Sequence, residues 1–257
     1  MARAAPKVSA IVVCFNEEEH IAACLESIRW CDEIVVVDSR STDRTLDIAS
    51  GFTERVFVRD WPGYREQKQF ALDQARHEWV LNVDADERVS SELRAEIQRE
   101  LSLGDLDVDG FWIPRLVFYL GRWWYRGGWY PDYRLRLFRR ERAVWGGVNP
   151  HEKVIVDGRT RRLGGHLLHF TYRDVSQHLI TVNRLTNISA AEALRRRRTR
   201  RRDLYLRPAW RFFRSLVLDR GALEGWAGYF VASTAAFYVF LKYAKSLDLA
   251  EQIERRQ

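Results

Sequence analysis

The stretch that decides the fold is Trp79-Val-Leu-Asn-Val-Asp-Ala-Asp86, an apolar run that ends in two aspartates. Two earlier stretches have the same form, VSAIVVCFNE at residues 8–17 and EIVVVDSRSTD at residues 33–43. Unbroken runs of β-branched residues are typical of strands that are buried on both faces. The sequence therefore predicts three buried strands, each followed directly by acidic or amide side chains.

Helical patterns separate these strands. Apolar residues recur at helical spacing over Glu18–Ile28, Thr42–Ala49 and Tyr64–Ala75, and a shorter strand is predicted at Arg55–Val58. Strands that alternate with helices form a parallel sheet covered by helices on both faces. We therefore predict an α/β fold with a mostly parallel central sheet, which binds ligands at the carboxyl ends of its strands.

Composition and charge narrow the class of protein. The chain has 257 residues, of which 46% are hydrophobic, so it can bury a substantial core and is not disordered. Its net charge of +7 comes from one place, because seven arginines interrupted only by Thr199 fill residues 195–202, whereas residues 1–194 carry 27 basic and 29 acidic side chains. A nucleic-acid-binding face needs basic residues spread over a folded surface. We therefore predict no nucleic-acid partner.

Cysteines and the N-terminus favour a cytoplasmic location. The three cysteines, Cys14, Cys24 and Cys31, are an odd number and form no C-x-x-C pair, which argues against a disulfide framework. Residues 1–9 contain no apolar segment of the kind found in signal peptides.

The sequence pattern changes in the second half of the chain. Gly110–His169 contains short strand-like runs, aromatic clusters and turns, and Asp174–Leu194 is helical in pattern. We predict a catalytic domain at residues 1–194, with halves at 1–109 and 110–194, followed by a basic, amphipathic helical extension at 195–257. In this extension, Gly225–Leu241 is a segment of 17 residues without a charge. A membrane span needs about 20 residues, so this segment is at the lower limit. The sequence is compatible both with a segment that lies on a membrane and with one that spans it.

The aspartates at 84 and 86 suggest metal chemistry. Two carboxylates presented from a turn after a strand offer oxygen ligands to a hard divalent cation, Mg²⁺ or Mn²⁺. Such an ion stabilises the negative charge that develops on a leaving diphosphate. An isolated Asp-x-Asp is a weak signal, since aspartate also favours caps and turns. Here the pair lies beside two further polar strand ends.

The three strand-ending stretches together resemble the nucleotide-sugar-binding half of family-2 inverting glycosyltransferases, which have the GT-A fold. Further along, Gly128–Phe138, Val148–Glu152 and His169–Tyr172 are similar to the branch that includes lipopolysaccharide inner-core β-1,4-glucosyltransferases. The resemblance covers most of the chain and implies a GT-A fold with a nucleotide-sugar donor.

The resemblance also implies roles for single residues. Asp38 would contact the uracil or ribose of a UDP-hexose, Asp84 the ribose or the metal shell, and Asp86 the metal and the diphosphate. His169 would complete the metal shell, which a neutral imidazole can do for Mn²⁺, although a buried structural histidine is an equal alternative.

Other residues assigned to donor binding also have structural interpretations. Asn16 and Glu17 lie where a helix starts, and Asp38 is placed to cap one. Arg134 and Arg136 alternate with leucines on a predicted strand, where they would either hold the diphosphate or form a solvated face.

An inverting transfer needs one carboxylate that takes the proton of the acceptor hydroxyl. Glu152 matches the family position usually given this role, and Asp132 is the second candidate. Each could instead pair with neighbouring arginines.

Three functions follow from these observations. The leading one is metal-dependent transfer of a hexose, glucose from UDP-glucose, to a lipid-linked saccharide such as the lipopolysaccharide core, by an enzyme associated peripherally with the inner face of the cell membrane. The second is a polyprenyl-phosphate glycosyltransferase, whose acceptor is already anionic and needs no base. The third is a non-enzymatic module in which the arginine run binds an anionic membrane surface or nucleic acid.

Overall fold

The computed structural model describes residues 6–103, 107–148, 151–195 and 200–255. Twelve strands are present within them: β1 Val8–Cys14, β2 Glu33–Asp38, β3 Val56–Val58, β4 Trp79–Asp84, β5 Glu87–Val89, β6 Gly110–Tyr119, β7 Arg122–Trp124, β8 Asp132–Arg139, β9 Ala143–Val148, β10 His151–Val156, β11 Thr160–Arg162 and β12 Leu167–Phe170. The helices are α1 Ile21–Ser27, α2 Thr45–Ser50, α3 Tyr64–Gln74, α4 Ser91–Ser102, α5 Val175–Arg195, α6 Asp203–Phe213 and α7 Gly225–Glu254. A π-helical turn, Arg214–Leu218, and a 3₁₀ turn, Gly221–Glu224, lie between α6 and α7.

The chain divides into two compact units. The first contains Met1–Leu116 and Asp132–Phe170, and the second contains Val117–Pro131 and Thr171–Gln257. This division differs from the predicted boundary between residues 194 and 195. The physical reason is that α5 packs against α7, so that α5 belongs to the second unit. Residues 196–199 of the arginine run lie outside the described residues.

The main sheet has the strand order β3-β2-β1-β4-β8-β6-β12-β5. The pairs β1–β2, β1–β4 and β2–β3 are parallel, as predicted, whereas β8 is antiparallel to both β4 and β6. The chain runs outward from β1 to β3 and then returns to place β4 on the other side of β1. This reversal creates a switch point between β1 and β4, where open α/β sheets bind ligands.

The first unit is built in layers around this sheet. One face of the central strands packs against α1 and α4 through an apolar cluster that includes Ile21, Leu25, Leu93 and Ile97. The other face packs against α3 and the antiparallel pair β9–β10. Because both faces are covered, the strands read as unbroken apolar runs rather than as alternating ones.

The second unit is helical and has its own aromatic core. Tyr119, Trp124 and Val231 belong to this core. His178 of α5 is buried in it, stacks on Tyr172 at a centroid distance of 4.2 Å and contacts the Tyr119 hydroxyl at 3.1 Å. Burial lowers the pKa of His178 from 6.5 to about 4. Within the described residues, α7 and the other helices are not apolar over a sufficient length to cross a bilayer.

Candidate active site

The carboxyl ends of β1, β2 and β4 bring the predicted strand-end residues to one edge of the sheet. Asp38, the last residue of β2, lies in register with Cys14 of β1, and Asp84, the last residue of β4, lies in register with Val13. Asn16 follows β1 in a left-handed conformation, with a φ angle of 53°. Parallel pairing thus unites residues that are far apart in the sequence.

Asp38 is fully buried, and the loop after β2 holds its carboxylate. The Ser41 backbone N–H donates to Oδ1 at 2.8 Å, and the Ser41 hydroxyl donates to Oδ2 at 2.5 Å. Asn16 joins this loop, since its side-chain oxygen accepts the Thr42 N–H at 2.8 Å. Because α2 begins only at Thr45, Asp38 stabilises the loop and does not cap the helix. Contact between Asp38 and a uracil or ribose stays a prediction.

Glu17 begins the turn that leads into α1. Its carbonyl accepts the N–H groups of His20 and Ile21 at 2.9 and 2.8 Å, and its own N–H donates to the Thr45 hydroxyl at 2.8 Å. This geometry agrees with the helix-start interpretation of Asn16 and Glu17. A role for either residue in donor binding stays a prediction.

Arg136 is buried and bridges two carboxylates. One of its terminal nitrogens donates to Asp84 Oδ2 at 2.5 Å and to Glu87 Oε1 at 2.7 Å. Glu87 also accepts the Asp84 backbone N–H at 3.0 Å, which fixes the turn between β4 and β5. Arg136 therefore does not lie on a solvated strand face, and its guanidinium is already engaged by the protein.

Lys68 of α3 neutralises Asp84 from the other side. Its ammonium lies 2.9 Å from Asp84 Oδ1 and 3.2 Å from Glu152 Oε1. Burial opposes ionisation of Asp84, but Arg136 and Lys68 outweigh it and hold the pKa of this carboxyl well below its usual range. Each oxygen of Asp84 thus faces a cation, and its assignment to a metal shell stays a prediction.

Glu152 and Asp132, the two candidate bases, have different surroundings. One oxygen of Glu152 faces Lys68, and the other, Oε2, is buried without a hydrogen-bond partner among the described residues. Both oxygens of Asp132 are occupied, since Arg115 donates to Oδ2 at 2.6 Å and Arg134 lies 3.0 Å from Oδ1. Despite its partial burial, Asp132 has a lowered pKa because of these two arginines.

Arg115 joins the two ends of this arrangement, because it also approaches Glu87 at 3.5 Å. The result is a series of alternating charges, which we call the ion-pair chain. It contains Glu152, Lys68, Asp84, Arg136, Glu87, Arg115, Asp132 and Arg134. The two candidate bases lie near its opposite ends, and of these two only Glu152 has an oxygen available to accept a proton.

Asp86 and His169 form a separate pair. Pairing of β12 with β5 brings them together, and Asp86 Oδ2 lies 3.0 Å from His169 Nε2. Burial would raise the pKa of Asp86, but the neighbouring imidazole outweighs it and the pKa is lowered.

The chemistry of this pair fits a divalent cation. Asp86 Oδ2 and His169 Nε2 lie within hydrogen-bond distance of each other, and a carboxylate oxygen and an imidazole nitrogen are both ligands that a divalent metal accepts. Within the described residues, His, Cys, Asp and Glu side chains form no group of three or more that could hold a metal. Mg²⁺ commonly takes only one or two protein ligands and completes its shell with substrate phosphates and water, so the pair suits a metal that arrives with a diphosphate.

Sequence reasoning missed Lys68, Glu87 and Arg115. A signal for Lys68 was present, because it shares one face of α3 with Ala71, Leu72 and Ala75 at spacings of three, four and seven residues. A lysine on an apolar helix face is buried, and a buried ammonium needs carboxylate partners.

Four parallel strands, a switch point between β1 and β4, and acidic side chains at the strand ends define a GT-A type of nucleotide-sugar fold. The family model described as Glycosyl transferase family 2 matches residues 9–155, more than half of the chain. The chain belongs to this family, and the protein is a glycosyltransferase. The predicted resemblance and fold class are confirmed, and the non-enzymatic alternative is wrong.

Relatives extend this similarity over nearly the whole chain. A lipopolysaccharide core biosynthesis glycosyltransferase, LpsC of Rhizobium meliloti (strain 1021), is 32% identical over 93% of this chain and 91% of its own length. An uncharacterized glycosyltransferase of Rickettsia typhi is 28% identical over 95% of this chain and 88% of its own. A mannosyltransferase of Pyrobaculum calidifontis, solved in complex with GDP-Man and Mn²⁺, shares the fold with a TM-score of 0.57 at 17% identity, covering 94% of this chain and 87% of that one.

Proposed function

We propose that the protein transfers glucose from UDP-glucose, with inversion and with Mg²⁺ or Mn²⁺, to a hydroxyl of a lipid-linked saccharide such as the lipopolysaccharide core. The similarity to LpsC supports the acceptor class. The solved mannosyltransferase with its nucleotide sugar and Mn²⁺ supports the donor class and the metal. The observation that carries the proposal is Glu152, which offers one unpartnered oxygen among the described residues beside strand-end carboxylates.

The reaction is a single in-line displacement. Glu152 Oε2 accepts the proton of the acceptor hydroxyl, the acceptor oxygen forms a bond to C1 of glucose, and the bond between C1 and the diphosphate oxygen breaks. UDP leaves with the electron pair of that bond. Asp86 and His169 would hold the metal, which when bound would supply positive charge to the leaving diphosphate. We propose that Asn16, Glu17 and Asp38 shape the donor-binding edge.

Arg134 and Arg136 have a reduced part in this proposal. Both guanidiniums pair with carboxylates, Arg134 with Asp132 and Arg136 with Asp84 and Glu87. We assign them to the support of the strand-end carboxylates, and we assign the diphosphate to the metal pair.

The C-terminal extension, residues 195–257, is proposed to lie on the anionic inner face of the cell membrane, with the protein on the cytoplasmic side. Large apolar side chains are exposed on α6, on α7 and between them, namely Tyr205, Leu206, Trp210, Phe213, Val217, Leu218, Leu223, Trp226, Tyr229, Phe237 and Phe240. Arg207 and Arg214 lie among them and are more than half exposed. Exposed apolar surface with interspersed basic residues suits an anionic bilayer, where each basic residue contributes about 1 kcal/mol.

Transfer from a panel of donors tests the function. The purified chain is incubated with Mn²⁺, deacylated lipopolysaccharide core oligosaccharide and UDP-glucose, UDP-galactose, UDP-N-acetylglucosamine or GDP-mannose, and the product is measured by mass spectrometry. We expect one added hexose with UDP-glucose, and Glu152→Gln should lower kcat by about 10² to 10⁴.

Asp132→Asn is the matched control, because it alters the other candidate base and should leave kcat within about threefold of the wild type. Full turnover of Glu152→Gln with this acceptor would show that Glu152 is not the base. Transfer by the wild type to a polyprenyl phosphate offered in place of the oligosaccharide, unchanged in Glu152→Gln, would favour the polyprenyl-phosphate acceptor, which needs no base. A larger loss in Asp132→Asn than in Glu152→Gln would move the base to Asp132.

A further inference from the structure

Lys68 occupies an unusual position for a lysine. It lies on the face of α3 that packs against the sheet, and the whole residue is 8% exposed. Burying an ammonium is costly unless carboxylates surround it. The groups that contact the ammonium of Lys68 therefore make its burial possible, and they indicate the role of this residue.

The ammonium of Lys68 joins two carboxylates that come from different parts of the fold. Asp84 ends β4 and lies at 2.9 Å, whereas Glu152 belongs to β10 and lies at 3.2 Å. The indole of Trp145 covers the same ammonium, with its ring centroid at 5.1 Å. The bridge thus links the edge of the sheet that is proposed to bind the donor to the proposed base.

Trp145 and Glu152 are arranged by the register of β9 and β10. Trp145 pairs with Val154, and Glu152 pairs with Gly147. Side chains two residues apart on a strand share a face, so Trp145 and Glu152 are diagonal neighbours on one face of this hairpin. Lys68 contacts both, which fixes the hairpin face against α3 at the level of Asp84.

The contact of Lys68 with one oxygen of Glu152 determines where the other oxygen lies. Oε1 is tied to the ammonium, and Oε2 is left buried without a partner among the described residues. An unpartnered buried carboxylate oxygen costs free energy. A hydroxyl of the acceptor that donates a hydrogen bond to this oxygen removes the cost. Misplacement of a catalytic group by about 1 Å can reduce a rate by about 10²-fold.

We propose that Lys68 is a positioning residue of the transfer reaction, which holds Glu152 through Oε1 so that Oε2 receives the proton of the acceptor hydroxyl. The inference rests on the proposed function of Glu152 as the base. The proton moves to Oε2, the acceptor oxygen bonds to C1, and the electron pair of the broken bond leaves with UDP. Lys68 gains and loses no proton in this step.

A double-mutant cycle between Lys68 and Glu152 tests the proposal with UDP-glucose, Mn²⁺ and deacylated lipopolysaccharide core oligosaccharide. We expect Lys68→Met to lower kcat about 10- to 100-fold, with the Kd of UDP within about twofold of the wild type. In the Glu152→Gln background the same substitution should have almost no further effect on kcat, because residues that act as a unit are not additive.

Two further variants separate positioning from folding. Lys245→Met is the matched control, because the Lys245 ammonium is also surrounded by oxygens, those of Asn183, Thr186 and Asn187, but lies in the second unit. It should lower the melting temperature without changing kcat. Lys68→Arg keeps the charge, and it is expected to fold and to recover most of the kcat that is lost in Lys68→Met, which covers the case in which Lys68→Met fails to fold.

Three results would overturn the role of Lys68. The first is a loss in Lys68→Met that persists at full size in the Glu152→Gln background. The second is a Kd of UDP raised more than about tenfold with kcat unchanged, which would assign Lys68 to donor binding. The third is an arginine variant as slow as the methionine variant. Absence of transfer by the wild-type chain would refute the proposed function itself and is thus distinguishable.

Discussion

Replacement of Arg136 by methionine should destabilise the first unit strongly, whether or not a donor is present. Arg136 is 5% exposed and donates to Asp84 and Glu87, and Glu87 is fully buried. Removing the guanidinium leaves two carboxylates facing each other without a counter-ion on that side. Breaking a buried ion pair in this way costs about 3–5 kcal/mol.

The assay is thermal and urea unfolding of the purified chain at pH 7. For a domain of 150–250 residues, about 1 kcal/mol shifts Tm by about 2–4 °C, so Arg136→Met should lower Tm by about 6–20 °C. Arg134→Met is the matched control, because Arg134 lies two residues away on β8, is half exposed and pairs with Asp132. We expect it to cost no more than about 1 kcal/mol.

The pH dependence follows from the lowered pKa of Asp84. A carboxyl whose pKa is lower in the folded state stabilises the protein above its unfolded pKa, and this contribution is lost as pH falls through the folded value. Arg136→Met lacks most of that contribution. The difference in unfolding free energy between wild type and variant should therefore be nearly constant from pH 7 to about pH 4 and shrink only as pH falls below 3.8, the ordinary pKa of an aspartate.

Two outcomes would refute this reasoning. Equal losses in Arg136→Met and Arg134→Met would show that the buried bridge contributes no more than a surface pair. A loss that appears only when UDP and Mn²⁺ are bound would return Arg136 to the diphosphate, as the sequence pattern allowed.

Three further predictions concern the metal, pH and the membrane. Asp86→Asn and His169→Gln should each lower the apparent affinity for Mn²⁺, measured through its effect on UDP binding, by about 10-fold or more. An unchanged affinity would contradict the metal pair. His178 is buried neutral, so protonation destabilises the fold as pH falls from about 6.5 towards about 4; between pH 7.5 and 5 this residue should cost about 2 kcal/mol of unfolding free energy, a dependence that His178→Phe should lack. The full chain should co-sediment with anionic liposomes and bind neutral liposomes little. The double variant Trp210→Ser, Trp226→Ser should bind anionic liposomes less than the wild type does, and equal binding would rule out the exposed aromatic face.

The strands at the heart of the fold could be predicted from the sequence because their burial is complete. The three stretches predicted as buried strands, at residues 8–17, 33–43 and 79–86, each begin where an observed strand begins, at Val8, Glu33 and Trp79. Continuous apolar residues fix both the extended state and the parallel class, since only a sheet covered on both faces accepts them.

Helix starts were less well predicted, because side chains in the preceding loops compete for backbone groups. The helix predicted from Thr42 begins at Thr45, since the Thr42 N–H donates to Asn16 in another loop. The helix predicted from Glu18 begins at Ile21, after a turn that Glu17 closes. These partners are more than 20 residues apart in one case, and no local pattern identifies them.

The candidate site divides in the same way. That Asp38, Asp84 and Asp86 share one edge follows from strand order, which the alternation of elements predicts. The resemblance ranks Glu152 before Asp132, and the choice of base stays a prediction. The different surroundings of the two carboxylates depend on Lys68 and Arg115, which come from α3 and β6. Pairings over such sequence distances arise from packing and register, so the sequence could name both candidates but not their partners.

The charge balance of the ion-pair chain bears on the metal that we propose. Its four cations, Lys68, Arg115, Arg134 and Arg136, each face at least one of its four carboxylates. The ion-pair chain is therefore neutral as a whole, and it offers no surplus positive charge to a diphosphate that binds at the same edge of the sheet. Asp86 and His169 lie outside the chain and add a ligand pair rather than a counter-charge. A divalent cation bound by this pair would supply two positive charges, whereas the cationic side chains of the ion-pair chain already pair with carboxylates. We therefore expect donor binding to depend more steeply on the metal than on any single arginine.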